Sequence, residues 1–256
     1  NTTATGNTAV GDVSAYSNTT GANLAALGRY ALYSNTTGSS NTGLGFQSLF
    51  SNTTASNNTA VGYQAGYSNT TGTDLVAIGS GAAYSNTTGA GNIAMGLNAL
   101  YSNTTGAGNT ALGTQLTGTG NASLNQNTTG NYNTAAGTSS LKSNTTASNN
   151  TAFGYHAAFS NTTGTGLTAI GYSAMSFNTT GNYNVAIGAA GASGGTALNV
   201  NTTGSSNVAV GNGALQANTT ASNNTAVGFQ AGYSNTDKSV NVYFGYQAGK
   251  LATAKG

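Results

Sequence analysis

Residues 52–68 read N-T-T-A-S-N-N-T-A-V-G-Y-Q-A-G-Y-S, and the next copies repeat the phrase with small changes, as in N-T-T-G-A-G-N-I-A-M-G-L-N-A-L-Y-S at 86–102. The beat is set by a glycine that follows a small-then-apolar pair. It falls at Gly11, Gly28, Gly45, Gly62, Gly79, Gly96 and Gly113, at Gly137, Gly154, Gly171 and Gly188, and at Gly211, Gly228 and Gly245. Within each run the spacing is 17 residues, giving fourteen copies. A period of this size marks a stacked architecture before any motif is considered. It is too short for a helical hairpin repeat, and the repeat holds no apolar residues at 3.6-residue spacing. The reading is an all-β parallel β-solenoid, a β-roll of about fourteen 17-residue coils.

One coil reads as a short strand flanked by turns. In N-T-A-V-G alternate side chains share a face, so Thr59 and Val61 lie on one side and Asn58, Ala60 and Gly62 on the other. Both sides are expected to be buried. The small side is Ala or Gly at its centre in all copies but the last, where Tyr243 stands, and this ladder is expected to let an identical chain approach closely. The apolar column before the glycine holds Val10, Leu27, Leu44, Val61, Ile78, Met95, Leu112, Phe153, Ile170, Ile187, Val210, Val227 and Phe244, with Ala136 the weak member. Such a column argues against the disorder that low charge and abundant Gly, Asn, Ser and Thr would otherwise suggest.

The conserved beat has a local cause. A coil turns sharply after its strand, and glycine accepts positive φ or tight contact at least cost. The second turn, N-T-T-G or N-T-T-A, uses Asn and Thr side chains that bond nearby backbone, and stacked copies add an asparagine ladder. Asn58, Asn92, Asn109 and Asn150 precede the strand, replaced by Leu24, Leu75 and Leu167, which points this column inward. Tyr or Phe recurs five residues after the glycine, at Tyr16, Tyr33, Phe50, Tyr67, Tyr84, Tyr101, Phe159 and Tyr233, and predicts a spine of stacked rings; a platform for sugar rings is the functional alternative.

Composition narrows the function. Charged residues make up 3% of the chain, against about a quarter in ordinary soluble proteins, and the formal net charge of +2 rests on too few groups to indicate a nucleic-acid partner. Without cysteine no disulfide holds the fold. No apolar run approaches the ~20 residues of a membrane helix, and no signal-peptide pattern is present, so membrane insertion is not expected. The beat runs through residues 1–256 as one repeat domain, and since it opens inside the pattern the chain reads as part of a longer polypeptide.

Two insertions break the rhythm, near 114–126 and 189–200, in the same segment of the coil. Insertions in solenoids leave the stack as loops, often on the binding face. The last coil, 235–256, diverges: Thr236-Asp237-Lys238 replaces the N-T-T-G turn and Lys250 the spine residue, as in an end cap.

Catalytic groups are sparse. Asp12, Asp74 and Asp237 lie coils apart with no Glu to pair them, and His156 stands alone where other copies carry Gln47, Gln64, Gln230 or Gln247, reading as an exposed polar side chain. No triad, zinc site or phosphate loop can be assembled, so neither enzyme, metal nor cofactor is expected. The N-x-T pattern offers possible glycosylation at Asn18, Asn35, Asn52, Asn69, Asn86, Asn103, Asn127, Asn144, Asn161, Asn178, Asn201 and Asn218, with Asn57, Asn149 and Asn223 opening N-N-T and Asn121 opening N-A-S. A turn copied many times also generates such motifs automatically.

The phrase N-x-A-Φ-G-x-x-A, at Asn58–Ala65 and Asn92–Ala99, resembles the head repeat of YadA-type trimeric autotransporter adhesins, and G-Y-Q-A-x-Y-S-N-T-T-G at Gly62–Gly72 resembles repeats of phage tail fibres and bacterial surface fibre proteins. The resemblance spans nearly the whole chain, although the adhesin repeat is shorter. It implies a left-handed roll, a homotrimer or filament of identical chains, and an extracellular place on a cell or virion surface. The expected function is a structural fibre or adhesin shaft. A glycan-binding module, a heavily glycosylated fibril and an ice-binding solenoid are the alternatives.

Overall fold

The computed structural model describes residues 3–115, 121–189 and 195–250. Parts of the two insertions (116–120 and 190–194) and of the last coil (251–256) lie outside the described residues. The chain divides into two compact units, Asn1–Tyr132 and Asn133–Gly256. Each is a parallel β-solenoid, and among the described residues no helix occurs.

The first unit carries β1 (Thr8–Val10), β2 (Ala25–Leu27), β3 (Thr42–Leu44), β4 (Thr59–Val61), β5 (Val76–Ile78), β6 (Ile93–Met95) and β7 (Thr110–Leu112). The second carries β8 (Thr134–Ala136), β9 (Thr151–Phe153), β10 (Thr168–Ile170), β11 (Val185–Ile187), β12 (Val208–Val210), β13 (Thr225–Val227) and β14 (Val242–Phe244). Within each unit strands adjacent in sequence pair in parallel, like position on like position: Thr59 faces Val76, Ala60 faces Ala77 and Val61 faces Ile78. The second insertion does not disturb this register, since Val185 still pairs with Val208.

The strand's two sides differ from expectation. The central alanine is the interior: Ala26, Ala60, Ala77 and Ala94 are all 0% exposed. The Thr/apolar side faces outward, with Leu44, Met95, Phe153 and Ile170 exposed. The small ladder is therefore the core of the coil and not a surface for a neighbouring chain. A 17-residue loop closing on itself leaves little width at its centre, so only Ala or Gly fits opposite the side chains that enter from the turn.

Those entrants are the residues four past the glycine. Leu32, Leu49, Leu100, Leu141 and Leu215 are fully buried with φ between +47° and +53°. Left-handed backbone costs an L-residue about 1–2 kcal/mol, and burial of a leucine side chain returns about 1.5–3 kcal/mol. The conformation also aims the Leu49 amide at the Ala65 carbonyl of the next coil, 3.0 Å away. Where this position is small the volume is supplied elsewhere. A Cβ built on Gly66 would lie 3.0 Å from Leu49 Cδ2 and 3.2 Å from Leu75 Cδ2, so Leu75 occupies the space that a leucine at 66 would take. The other two leucines of the pre-strand column, Leu24 and Leu167, follow Ala15 and Ala158 at the same separation. Tyr243 does the same in the last coil, its ring lying where Cβ atoms on Gly232 and Gly249 would go.

Gly62 shows why the beat is glycine. Its φ is +137°, and a Cβ there would sit 2.7 Å from the carbonyl carbon and oxygen of Gly79 in the next coil. Conformation and contact both exclude a side chain. The other beat glycines share this positive φ, from +120° at Gly245 to +156° at Gly188, except that Gly113, where the first insertion begins, is not among them.

Candidate functional site

The N-T-T asparagines form an internal ladder. Asn52 Nδ2 donates to Asn35 Oδ1 (2.8 Å) and to the Ala55 carbonyl (3.0 Å), while its Oδ1 accepts from Asn69 Nδ2 (3.1 Å) and Asn58 Nδ2 (3.3 Å). The pattern holds across both insertions: Asn127 donates to Asn103 at 2.8 Å and Asn201 to Asn178 at 2.8 Å. The asparagine rungs on either side of each insertion thus keep their pairing. The pre-strand asparagines build a second ladder, in which Asn41 Oδ1 accepts from the Asn58 amide (2.9 Å) and Asn41 Nδ2 donates to Ala55 O (2.8 Å). These side chains satisfy turn backbone that the narrow core would otherwise leave without partners.

This geometry sorts the glycosylation candidates. The twelve N-T-T asparagines, from Asn18 to Asn218, are at most 3% exposed. Where both side-chain amide hydrogens are engaged, as at Asn52, a sugar on Nδ2 would break the ladder. Asn57, Asn149 and Asn223 are exposed instead, in left-handed turns with φ from +60° to +64°. Asn121 is half-buried. Sequence motif alone could not separate these classes, because inside and outside asparagines carry the same N-x-T signature.

Columns of apolar and aromatic side chains face outward. The first is the Thr/apolar side of the strands. The second is the ring spine, which is continuous in the first unit: Tyr16–Tyr33, Tyr33–Phe50, Phe50–Tyr67, Tyr67–Tyr84 and Tyr84–Tyr101 stack at 5.0–5.5 Å with interplanar angles of 4–8°. Interior rings have neighbours on both faces and turn their edges to solvent. In the second unit Lys142, Ser176 and Gln216 interrupt the column, and the Lys142 ammonium lies 5.5 Å from the Phe159 ring centre. A further column, one residue past the glycine, was not read from the sequence; it stacks Phe46 on Tyr63, Tyr155 on Tyr172 and Phe229 on Tyr246 at 5.4–5.5 Å. Its signal was present in the recurring G-Y and G-F pairs.

His156 is half-buried rather than exposed. Its ring stacks between Tyr155 (4.0 Å) and Phe159 (4.6 Å), and its Nε2 is buried without a hydrogen-bond partner. Burial pushes its pKa below the ordinary histidine value. Asp12 pairs with Arg29 at 3.3 Å on the surface, and Asp74 accepts from Asn57 at 3.3 Å. Among the described residues no three His, Cys, Asp or Glu side chains gather to hold a metal ion, and no helix is long and apolar enough to cross a membrane.

No protein-family model, curated protein or solved structure matches this chain.

Proposed function

We propose that the chain is a structural fibre element, an extracellular shaft or adhesin segment on a cell or virion surface, which packs against identical chains through the Thr/apolar side of its strands. The observation that carries this reading is the outward apolar column, with Leu27, Leu44, Met95 and Leu112 exposed in the first unit and Phe153, Ile170 and Ile187 in the second. Scattered exposed apolar residues are ordinary, whereas a contiguous patch marks an interaction surface. An identical chain repeats its side chains at the same inter-coil spacing, so every rung can meet its counterpart alike. The resemblance to adhesin heads supports three chains as the number.

The ladders support a scaffold role over a sugar platform, because a sugar ring stacks on an aromatic face and interior faces of the spine are taken by neighbouring rings. The absence of catalysis belongs to the same proposal. Sedimentation equilibrium with electron microscopy tests it: identical chains associate into elongated particles, and Leu44→Lys with Met95→Lys returns them to single chains with unchanged far-UV circular dichroism. A wild-type chain that stays monomeric at high concentration refutes the reading.

A further inference from the structure

We propose that Tyr67, Tyr84 and Tyr101 form an oxidative cross-linking site, at which a peroxidase-type one-electron oxidant joins adjacent coils of one chain through dityrosine. The three phenols are consecutive in the spine, with ring centres 5.0 and 5.1 Å apart and planes within 4° and 8° of parallel. All three are partly exposed, so an oxidant reaches their edges. The backbone holds them there: the Ser68 amide donates to the Tyr84 carbonyl (2.9 Å) and the Ser85 amide to the Tyr101 carbonyl (3.0 Å), fixing ring against ring. The phenols share one electrostatic neighbourhood, since burial and the adjacent Tyr101, Tyr67 and Tyr63 hydroxyls push the Tyr84 pKa up.

The chemistry balances with hydrogen peroxide as the terminal oxidant. Each of two neighbouring tyrosines gives up one electron and its phenolic proton, leaving two phenoxyl radicals. The ring carbons ortho to oxygen couple to form one carbon–carbon bond, and the hydrogens on those carbons move to the oxygens to restore both phenols. The protein loses two hydrogen atoms per link, and one peroxide is reduced to two waters. Holding the rings in contact replaces a diffusive encounter between radicals with an intramolecular one.

Phenylalanine has no phenol to oxidise, which gives the site a connectivity. Phe50 separates Tyr33 from Tyr67, so no link crosses it. The wider stacks Tyr16–Tyr33 and Tyr155–Tyr172, both at 5.5 Å, are slower members of the same class. The site lies within one chain, so its test stands apart from whether chains associate.

The experiment treats the dilute full chain with a haem peroxidase and hydrogen peroxide, follows dityrosine fluorescence, and maps links by thermolysin digestion and tandem mass spectrometry. Links 67–84 and 84–101 are expected, and links between 33 and 67 are not. Tyr84→Phe, a residue this column already accepts at Phe50 and Phe159, removes both links while circular dichroism stays unchanged. Phe50→Tyr adds links 33–50 and 50–67. Links that ignore ladder adjacency, links only between chains, or no links in either wild type or Phe50→Tyr would overturn the proposal.

Discussion

Replacing Asn69 by alanine cuts three hydrogen bonds inside the first unit. Asn69 Nδ2 donates to Asn52 Oδ1 (3.1 Å) and to Gly72 O (2.9 Å), and its Oδ1 accepts from Asn86 Nδ2 (2.9 Å). Asn52 Oδ1 keeps Asn58 Nδ2 as a donor at 3.3 Å, and Asn86 Nδ2 keeps the Gly89 carbonyl at 2.9 Å. The Gly72 carbonyl loses its side-chain donor. At about 0.5–1.5 kcal/mol net for each bond the loss is roughly 1.5–4.5 kcal/mol, and we take about 3 kcal/mol as the expected destabilisation. Thr71, two residues on, is exposed, so Thr71→Ala should stay within about 0.5 kcal/mol. Urea unfolding followed by far-UV circular dichroism compares the two variants. Because solenoids unfold through neighbouring coils, amide hydrogen exchange should place the weakening at the coils around residues 52, 69 and 86. If Asn69→Ala costs no more than Thr71→Ala, the buried ladder does not hold the stack. Intact-mass analysis of the chain from a glycosylating host adds a second check, with sugar at Asn57, Asn149 or Asn223 allowed and sugar at Asn69 excluded.

Gly62→Ala meets both a +137° backbone and a carbonyl 2.7 Å from the new methyl carbon, so it should cost about 3 kcal/mol or more in thermal or urea unfolding; a neutral outcome would refute the close-approach argument. Asn58→Leu places a second leucine beside Leu49 and should destabilise by about 1–3 kcal/mol, whereas Leu49→Gly together with Asn58→Leu copies the Gly66/Leu75 arrangement and should show favourable coupling in a double-mutant cycle; additive losses would count against volume exchange. His156 has a folded pKa held below its ordinary value of about 6.5 by burial. Its neutral form is the one the fold accommodates, so the stability linked to it is full above about 6.5 and falls as pH drops through the lowered folded pKa. His156→Gln should flatten that acid loss in unfolding measured across this range, and an unchanged pH profile would remove His156 as its source.

The fold was legible because three features repeat at one spacing: the glycine of Gly62, the apolar neighbour of Val61 and the N-T-T turn. Each has a geometric reason that needs no tertiary knowledge. The ring spine was legible for the same reason in the first unit, while Lys142, Ser176 and Gln216 end it in the second. What the sequence could not give was the direction of the strand's faces. Alternation puts Ala60 opposite Val61 but does not say which is inside, and the usual rule that the larger apolar residue is buried points the wrong way. The deciding quantity is the width of the coil, already filled by Leu49-type residues entering from a left-handed turn, and an unusual backbone of that kind leaves no mark in hydrophobic pattern. His156 is half-buried because the rings of Tyr155 and Phe159 flank it, neighbours that the glutamines at the same place in other copies do not reveal.

A perfectly periodic solenoid has a weakness, since a slip of one whole coil would restore nearly every contact. The irregular rungs remove that degeneracy. Leu75 fits above Gly66, and a one-coil slip in either direction would set it above Leu49 or above Ala83. The first overfills the core, and either slip leaves the space beside Gly66 without the leucine that fills it, each at a cost of order 1–3 kcal/mol. Leu75 also lacks the carbonyl oxygen with which Asn58 accepts the Leu75 amide at 2.9 Å, so the rung above it must find its partners differently and cannot be exchanged freely with its neighbours. Tyr243 with Gly232 and Gly249 marks the last described coil in the same way. The regular positions therefore supply cohesion, and the few departures from them fix which coil lies on which. Exchanging Leu75 for Asn should leave a stack that still forms but tolerates misregistered coils, seen as additional slow-exchanging species by hydrogen exchange, and a single exchange population would contradict this account.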